Sequence, residues 1–225
     1  RADVSRRACS AVAERMIETA RLALHPPHPD DLAFIQAEIN TASMMAYLGG
    51  TVRSAAETEQ GLQDDIAAFA RYEWLRWTFR RRSDGRRIGR VGLFTVRSAS
   101  APEALRGQRE IGWLPAEAAQ GQGYASEAAR AALAYGFSEL DLAQIYSQTS
   151  DSNGPGIHSA TTLSTRSDVD DRYGPSDQAF KTAVCRDHPD RKLPAVPGAA
   201  DGGAAGAAAD WRGAGGVELG DAGLS

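Results

Sequence analysis

Lysine is nearly missing from this 225-residue chain: Lys181 and Lys192 are the only two, and arginine carries the positive charge everywhere before them. Cysteine is as scarce. Cys9 and Cys185 are the only two, from which neither a disulfide framework nor any cysteine-based metal spacing follows, and a reducing compartment is the expectation. No apolar run approaches the roughly 18 residues a membrane helix requires. The basic opening RADVSRRACSAVAER has no apolar stretch of the kind a secretory signal carries. The cytoplasm is therefore the expected location, with no membrane partner. The charge excess is small too, and a net charge of −4 argues against any general attraction to nucleic acid. A hydrophobic content of 42% and a charged content of 24% fit one globular domain, with room for tails.

Pattern is unevenly distributed along the chain. Residues 1–15 lead into no amphipathic period and read as a disordered N-terminal extension, with Met16 opening the domain. Residues 198–225 are mostly glycine and alanine, a composition that cannot bury enough surface to offset its ordering entropy. The whole of 156–225 reads as an atypical low-complexity tail, also disordered, and 16–155 as the domain. Within it, Leu22 and Leu24 alternate along a strand ended by Pro26-Pro27, and Pro29-Asp30-Asp31 opens a helix with Leu32, Phe34, Ile35 and Ile39 on its apolar face. His25 and His28 beside these prolines read as turn and capping residues, with no metal site completed around them. Ser54-Ala-Ala-Glu57 is a capping box that starts a helix running to about Ala70. Trp74–Arg81 and Ile88–Val96 read as a hairpin around Asp84-Gly85. The cluster of Arg80, Arg81, Arg82, Arg86, Arg87 and Arg90 reads as its solvated tip, and 97–108 as a polar loop.

The most informative stretch is Arg109–Ala125, REIGWLPAEAAQGQGYA. It reads as a short strand, Glu110–Leu114, then Pro115, a glycine-spaced turn and the start of a strongly periodic helix. That helix sets Ala125, Ala129, Ala132, Leu133, Gly136, Phe137 and Leu140 on one side and Glu127, Arg130, Ser138 and Asp141 on the other. A glycine turn entering a helix offers unpaired main-chain N–H groups, with the helix dipole behind them, to an anion such as a phosphate. Gly121 and Gly123 would let that anion approach the backbone without a Cβ in the way.

Gln120-x-x-Gly123-x-Ala125, with Glu110-Ile-Gly-Trp before it and Tyr124-Ala-Ser-Glu-Ala-Ala after it, resembles the signature of the GNAT N-acetyltransferases, and within them the ribosomal-protein-alanine branch. The resemblance implies an α/β (α+β) fold: a single mixed, mostly antiparallel sheet flanked by helices. It implies an acyltransferase moving an acetyl group from acetyl-CoA to an amine, in the first place the N-terminal amine of a ribosomal or other protein. It further places Gln120, Gly121, Gln122, Gly123, Tyr124 and Ala125 at the cofactor diphosphate, and Trp113, Leu114 and Asn153 along the cofactor arm, with a bulge splaying the strand. Glu110 becomes the candidate catalytic base, directly or through a water. The segment between the first two helices lines the acceptor cleft in the family, although Met44, Met45, Tyr47 and Leu48 read more simply as core.

After Pro155 the resemblance stops. The small-residue helix, the Leu-Gly-Phe corner and the tyrosine general acid of the family have no counterpart, and Tyr173 aligns with nothing. The closing elements of the sheet are expected to be missing or replaced, which leaves open the alternative of an acetyl-CoA-binding module without activity. A shifted reading frame would give so abrupt a break, and so would a divergent natural tail. The coding sequence across codons 150–160 separates the two: an intact frame there removes the first.

Overall fold

The computed structural model describes residues 15–46, 51–71, 74–97, 103–150 and 180–186. Seven strands lie side by side in chain order: β1 (Ile17–Glu18), β2 (Leu22–His25), β3 (Leu75–Arg81), β4 (Arg87–Thr95), β5 (Arg109–Pro115), β6 (Gln144–Ser150) and β7 (Phe180–Arg186). All neighbours are antiparallel except β5 and β6, which run parallel. A parallel pair needs a crossover, and the helix Tyr124–Ser138 supplies it. Three helical segments separate β2 from β3. The first, α1, spans 29–39 and passes from a 3₁₀ turn (Pro29–Asp31) through one α turn (Leu32–Phe34) to a π turn (Ile35–Ile39). The others are α2 (Ala42–Met45) and α3 (Ala55–Arg71), which makes the crossover helix α4.

One face of the sheet is apolar. Leu24, Leu75, Trp77, Phe79, Val91, Leu93, Ile111 and Ile145 form it, and α4 covers it with Ala128, Ala129, Ala132 and Leu133. A helix surface of alanines lies close to the strands, so the core is thin there and aromatic rings fill its ends. Trp77 meets Phe69 edge-on at 5.5 Å and Tyr135 at 5.3 Å between centroids. The helix stops at Ser138, short of Leu140 and Asp141. Asp141 turns to φ 50°, and the Leu142 N–H donates back to the Gly136 carbonyl at 3.2 Å, which closes the end of the helix.

The other face is built on charge. Asp31, fully buried, accepts from Thr78 Oγ1 at 2.8 Å and from Arg87 Nε at 2.6 Å. Asp65, equally buried, accepts from Trp74 Nε1 at 3.1 Å, Arg76 Nη1 at 3.0 Å and Arg90 Nη2 at 2.6 Å. Burial pushes both carboxyls up. The arginines and the other donors outweigh it and hold each below the ordinary aspartate value. α1 and α3 are thereby tied to β3 and β4.

The reading of the arginine cluster as a solvated tip is corrected here. Arg87 and Arg90 reach inward to these aspartates, Arg86 pairs with Glu38 at 3.1 Å, and only the Arg81–Asp84 pair belongs to the turn itself. Two boundaries also move. Arg15, assigned to the N-terminal extension, is buried, and its carbonyl accepts from Trp77 Nε1 at 2.9 Å. Phe180–Arg186, inside the segment read as a disordered tail, pairs antiparallel with β6 from Gln144↔Arg186 to Ser150↔Phe180. An open edge beside β6 is an unpaired row of backbone donors and acceptors, and any extended stretch of adequate β propensity satisfies it.

Replacing Asp65 by alanine leaves two guanidinium groups buried without their anion. The expected loss of stability is about 3–5 kcal/mol, read from denaturant unfolding. A loss below about 1 kcal/mol would mean that the cluster behaves as an exposed ion pair.

Candidate functional site

The turn between β5 and α4 is made by short-range geometry. A 3₁₀ turn, Glu117–Ala119, follows Pro115, and Gln122 Nε2 donates back to the Ala118 carbonyl at 2.8 Å. Gly121 (φ 72°) and Gly123 (φ 77°) then take the left-handed conformation that favours glycine, and α4 begins at Tyr124 with Gly123 as its N-cap. No side chain caps the helix, so its first N–H groups have no partner within it. The space in front is open. A Cβ built on Gly121 meets nothing within 4 Å, and one on Gly123 meets only Arg21 Nη2 at 3.5 Å.

Arg21 is the residue that sequence reasoning missed. Its guanidinium donates to the Gln122 carbonyl at 3.1 Å and to Glu127 Oε2 at 2.6 Å, and it lies 4.5 Å from the centre of the Tyr124 ring. Glu127 also accepts from the Arg21 backbone N–H at 2.9 Å and from Thr19 Oγ1 at 2.6 Å. Burial raises the Glu127 carboxyl, but these donors outweigh it and lower its pKa. No local pattern couples residues 21 and 127, which are over a hundred positions apart.

Beside the turn the sheet opens. β5 and β6 share one registered pair, Glu110↔Tyr146, and part beyond it. Alternate residues of β5 turn their N–H and C=O groups away from β4, so beyond Glu110 these groups face the gap. The expected bulge is corrected: β5 keeps unbroken register with β4 from Gly89↔Pro115 to Thr95↔Arg109, and the departure of β6 makes the opening. Trp113 packs into the apolar core and Leu114 into the cluster of Phe34, Ile35 and Ile39 on the opposite face, which leaves the main chain between them to line the gap.

Glu110 stands at the point of divergence, with Phe94 across from it on β4 and Tyr146 on β6. Phe94 lies along the floor formed by Gly92 and its cross-strand partner Gly112. A Cβ at Gly92 would fall 2.4 Å from the Phe94 Cζ. Arg76 stacks over the same ring at 4.7 Å. Burial pushes the Glu110 carboxyl up to about 7.

Gln120, Gly121, Gln122, Gly123, Tyr124 and Ala125 are thus brought together at one turn, with Trp113 and Leu114 on the strand that leads to it and Glu110 at that strand's far end. Gln120 Nε2 points at Met44 Sδ, 3.5 Å away, which ties α2 to the turn. Met44 and Met45 are buried, in keeping with a core role. Asn153, Tyr47, Leu48 and Tyr173 lie outside the described residues. The His25 ring accepts from Arg80 Nε at 2.8 Å, and its Nδ1 lies 2.8 Å from the Pro26 carbonyl. Among the described residues no group of three His, Cys, Asp or Glu could hold a metal ion, and no helix is long and apolar enough to cross a membrane.

The profile of the acetyltransferase (GNAT) domain family matches residues 21–161, more than half of the chain. Three solved structures are similar in fold. An acetyltransferase of the GNAT family from Bacillus anthracis shares 19% identity at a TM-score of 0.62, over 76% of this chain and 98% of that one. AAC(6')-Ib in complex with paromomycin and acetyl-CoA shares 19% at 0.61, over 74% and 93%. Spermidine N-acetyltransferase from Vibrio cholerae, in complex with CoA and spermine, shares 19% at 0.57, over 75% and 96%.

The raised Glu110 pKa has a consequence for stability. A carboxyl whose folded pKa, about 7, lies above its ordinary 4.5 favours the fold when protonated. Its contribution is therefore complete below pH 4.5 and lost as pH rises through about 7. Glu110→Gln does not titrate, so its stability relative to the parent should climb across that window to a gain on the order of 3 kcal/mol at pH 8. Unfolding curves at pH 4.5 and pH 8 measure this, and a difference independent of pH would contradict the raised pKa of that carboxyl.

Proposed function

The chain belongs to the GNAT acetyltransferase family, and from that membership we propose that it transfers an acetyl group from acetyl-CoA to an amine, with a protein N-terminal amine as the first candidate. The observation that carries this reading is the glycine turn at the head of α4, with open space before two positive-φ glycines and a sheet split beside it. A diphosphate fits such a place by its chemistry: it is an anion, it needs several donors, and main-chain N–H groups at a helix start supply them without a side chain in the way. A pantetheine arm carries amides of its own and suits the free strand edge of β5. Acetyl-CoA would supply the activated thioester; the residues of this chain hold and orient it.

Glu110 suits the role of general base. An attacking amine must give up a proton, and a carboxylate with a pKa near the working pH accepts one while still populated in its basic form. Phe94 and Tyr146 are its neighbours on the adjoining strands. In this reading Asn153 contacts the cofactor arm, as the family resemblance implies. The acetyltransferase domain takes in Arg15 and β7 as well as the 16–155 read from the sequence, and the work is done in the cytoplasm. The acceptor is the less constrained half. The resemblance of Glu110–Ala129 to the ribosomal-protein-alanine branch favours a protein N-terminus, whereas the similar folds include proteins solved with paromomycin and with spermine. Asp31 and Asp65 lie beneath α1 and α3 already neutralised by arginine, so neither is free to recruit a polyamine.

Calorimetric titration with acetyl-CoA, followed by turnover on N-terminal peptides, aminoglycosides and polyamines, tests both halves. Saturable binding with turnover on the peptides is the expected result. Binding without turnover on any amine would favour the inactive acetyl-CoA-binding module. Gly123→Val should lose binding by more than tenfold, about 1.4 kcal/mol or more, because a β-branched residue is strained at φ 77° and its Cβ would sit 3.5 Å from the Arg21 guanidinium, leaving its methyls to crowd the turn. Glu110→Gln should keep binding and lose roughly 10²–10⁴ in kcat, together with the acidic limb of the pH–rate profile near pH 7. Unaltered binding in Gly123→Val would show that the cradle lies elsewhere.

A further inference from the structure

The Gln122 carbonyl and the Gly123 N–H belong to one planar trans peptide and point in opposite directions. Whatever holds that carbonyl therefore aims that N–H. Arg21 holds it, at 3.1 Å through Nη1, and Arg21 is itself fixed by Glu127 and by the Tyr124 ring. With Gly123 in the left-handed region, the Gln122–Gly123 peptide is one that glycine allows to flip. A flipped peptide would present its carbonyl oxygen, in place of its N–H, to an approaching phosphate. We propose that Arg21 is a positioning residue for the diphosphate turn: by gripping the Gln122 carbonyl from a Glu127-anchored guanidinium, it keeps the Gly123 N–H turned toward the anion.

This proposal rests on the acetyl-CoA reading above and adds to it a residue on β2, outside the glycine motif. It differs from a simple brace between β2 and α4. The Arg21 side chain is half exposed, and exposed ion pairs contribute little to stability. The bonds from the Arg21 backbone N–H and from Thr19 to Glu127 survive truncation of the Arg21 side chain. Removing the guanidinium therefore spares the fold and releases one peptide.

Three variants test it: Arg21→Ala, Arg21→Lys and, as a second route to the same loss, Glu127→Gln. In Arg21→Ala the dissociation constant for CoA and the KM for acetyl-CoA should rise together by about tenfold, with kcat within about twofold and the melting temperature nearly unchanged. Glu127→Gln should move in the same direction. Arg21→Lys keeps the charge but lacks the planar fork that spans Glu127 and the Gln122 carbonyl, so it should recover only part of the affinity. Nitrogen-15 relaxation of the Gly123 amide, without any ligand, should show a lower order parameter or an exchange contribution in Arg21→Ala that the parent lacks.

An unchanged CoA affinity in Arg21→Ala, a full rescue by lysine, or identical Gly123 relaxation in parent and variant would each overturn the proposal. If the parent itself fails to bind CoA, the acetyl-CoA reading falls instead. The relaxation comparison still decides whether Arg21 sets the orientation of this peptide.

Discussion

A helix start that no side chain caps, preceded by glycines at φ 72° and φ 77°, is the feature on which the rest of this structure turns. Main-chain donors are strong only if they are held still, and a glycine turn has little of its own to hold it. The fold supplies the rigidity from outside. β5 enters the turn as an interior strand registered along its length to β4, and α4 leaves it packed by alanines against the apolar face of the sheet. Arg21 and Glu127 close the remaining side. The position of the turn follows from the sheet, and its conformation follows from the two glycines and one carbonyl.

Three carboxyls on the opposite face of the sheet differ in what is built beside them. Asp31 and Asp65 are fully buried against arginines, and their pKa values fall; Glu110, part-buried with Phe94 and Tyr146 as its strand neighbours, has its pKa raised to about 7. Desolvation raises all three, so the difference lies in whether a cation was built beside the group. The first two fasten α1 and α3 over the strands, and the third is left poised to exchange a proton near neutral pH. Phe94 links these zones, since its ring covers the Gly92–Gly112 floor beside Glu110 while Arg76, bound to Asp65, stacks on its outer side.

Local grammar made much of this readable in advance. The Ser54–Glu57 capping box forms as spaced, with Ser54 N–H to Glu57 Oε2 at 2.7 Å and Glu57 N–H to Ser54 Oγ at 3.2 Å. The alternation of Leu22 and Leu24, the Asp84-Gly85 turn and the periodic helix after Gly123 were all legible, because each depends on residues a few positions apart. The glycine turn was legible for the same reason. Long-range partners were not. Nothing near Arg90 announces Asp65, and nothing near Arg21 announces Glu127, so the arginines looked like a solvated tip and the lock on the turn went unseen. The sheet opening was expected from an inserted residue in β5, yet it arises from the path of β6, which the sequence of β5 cannot encode. Strand β7 was hidden because its sequence lies beyond the point where the family pattern fades, and pairing with an open edge asks only for an extended backbone.

The claim beneath this account is that backbone amides at the head of α4 receive the diphosphate of a CoA thioester. A crystal structure of the protein grown with acetyl-CoA tests it most directly. The account predicts diphosphate oxygens within hydrogen-bond distance, about 2.7–3.2 Å, of N–H groups between Gly121 and Ala125, with the thioester carbonyl lying toward Glu110 in the gap between β5 and β6. A diphosphate seated elsewhere, with the turn empty or closed by its own side chains, would contradict it.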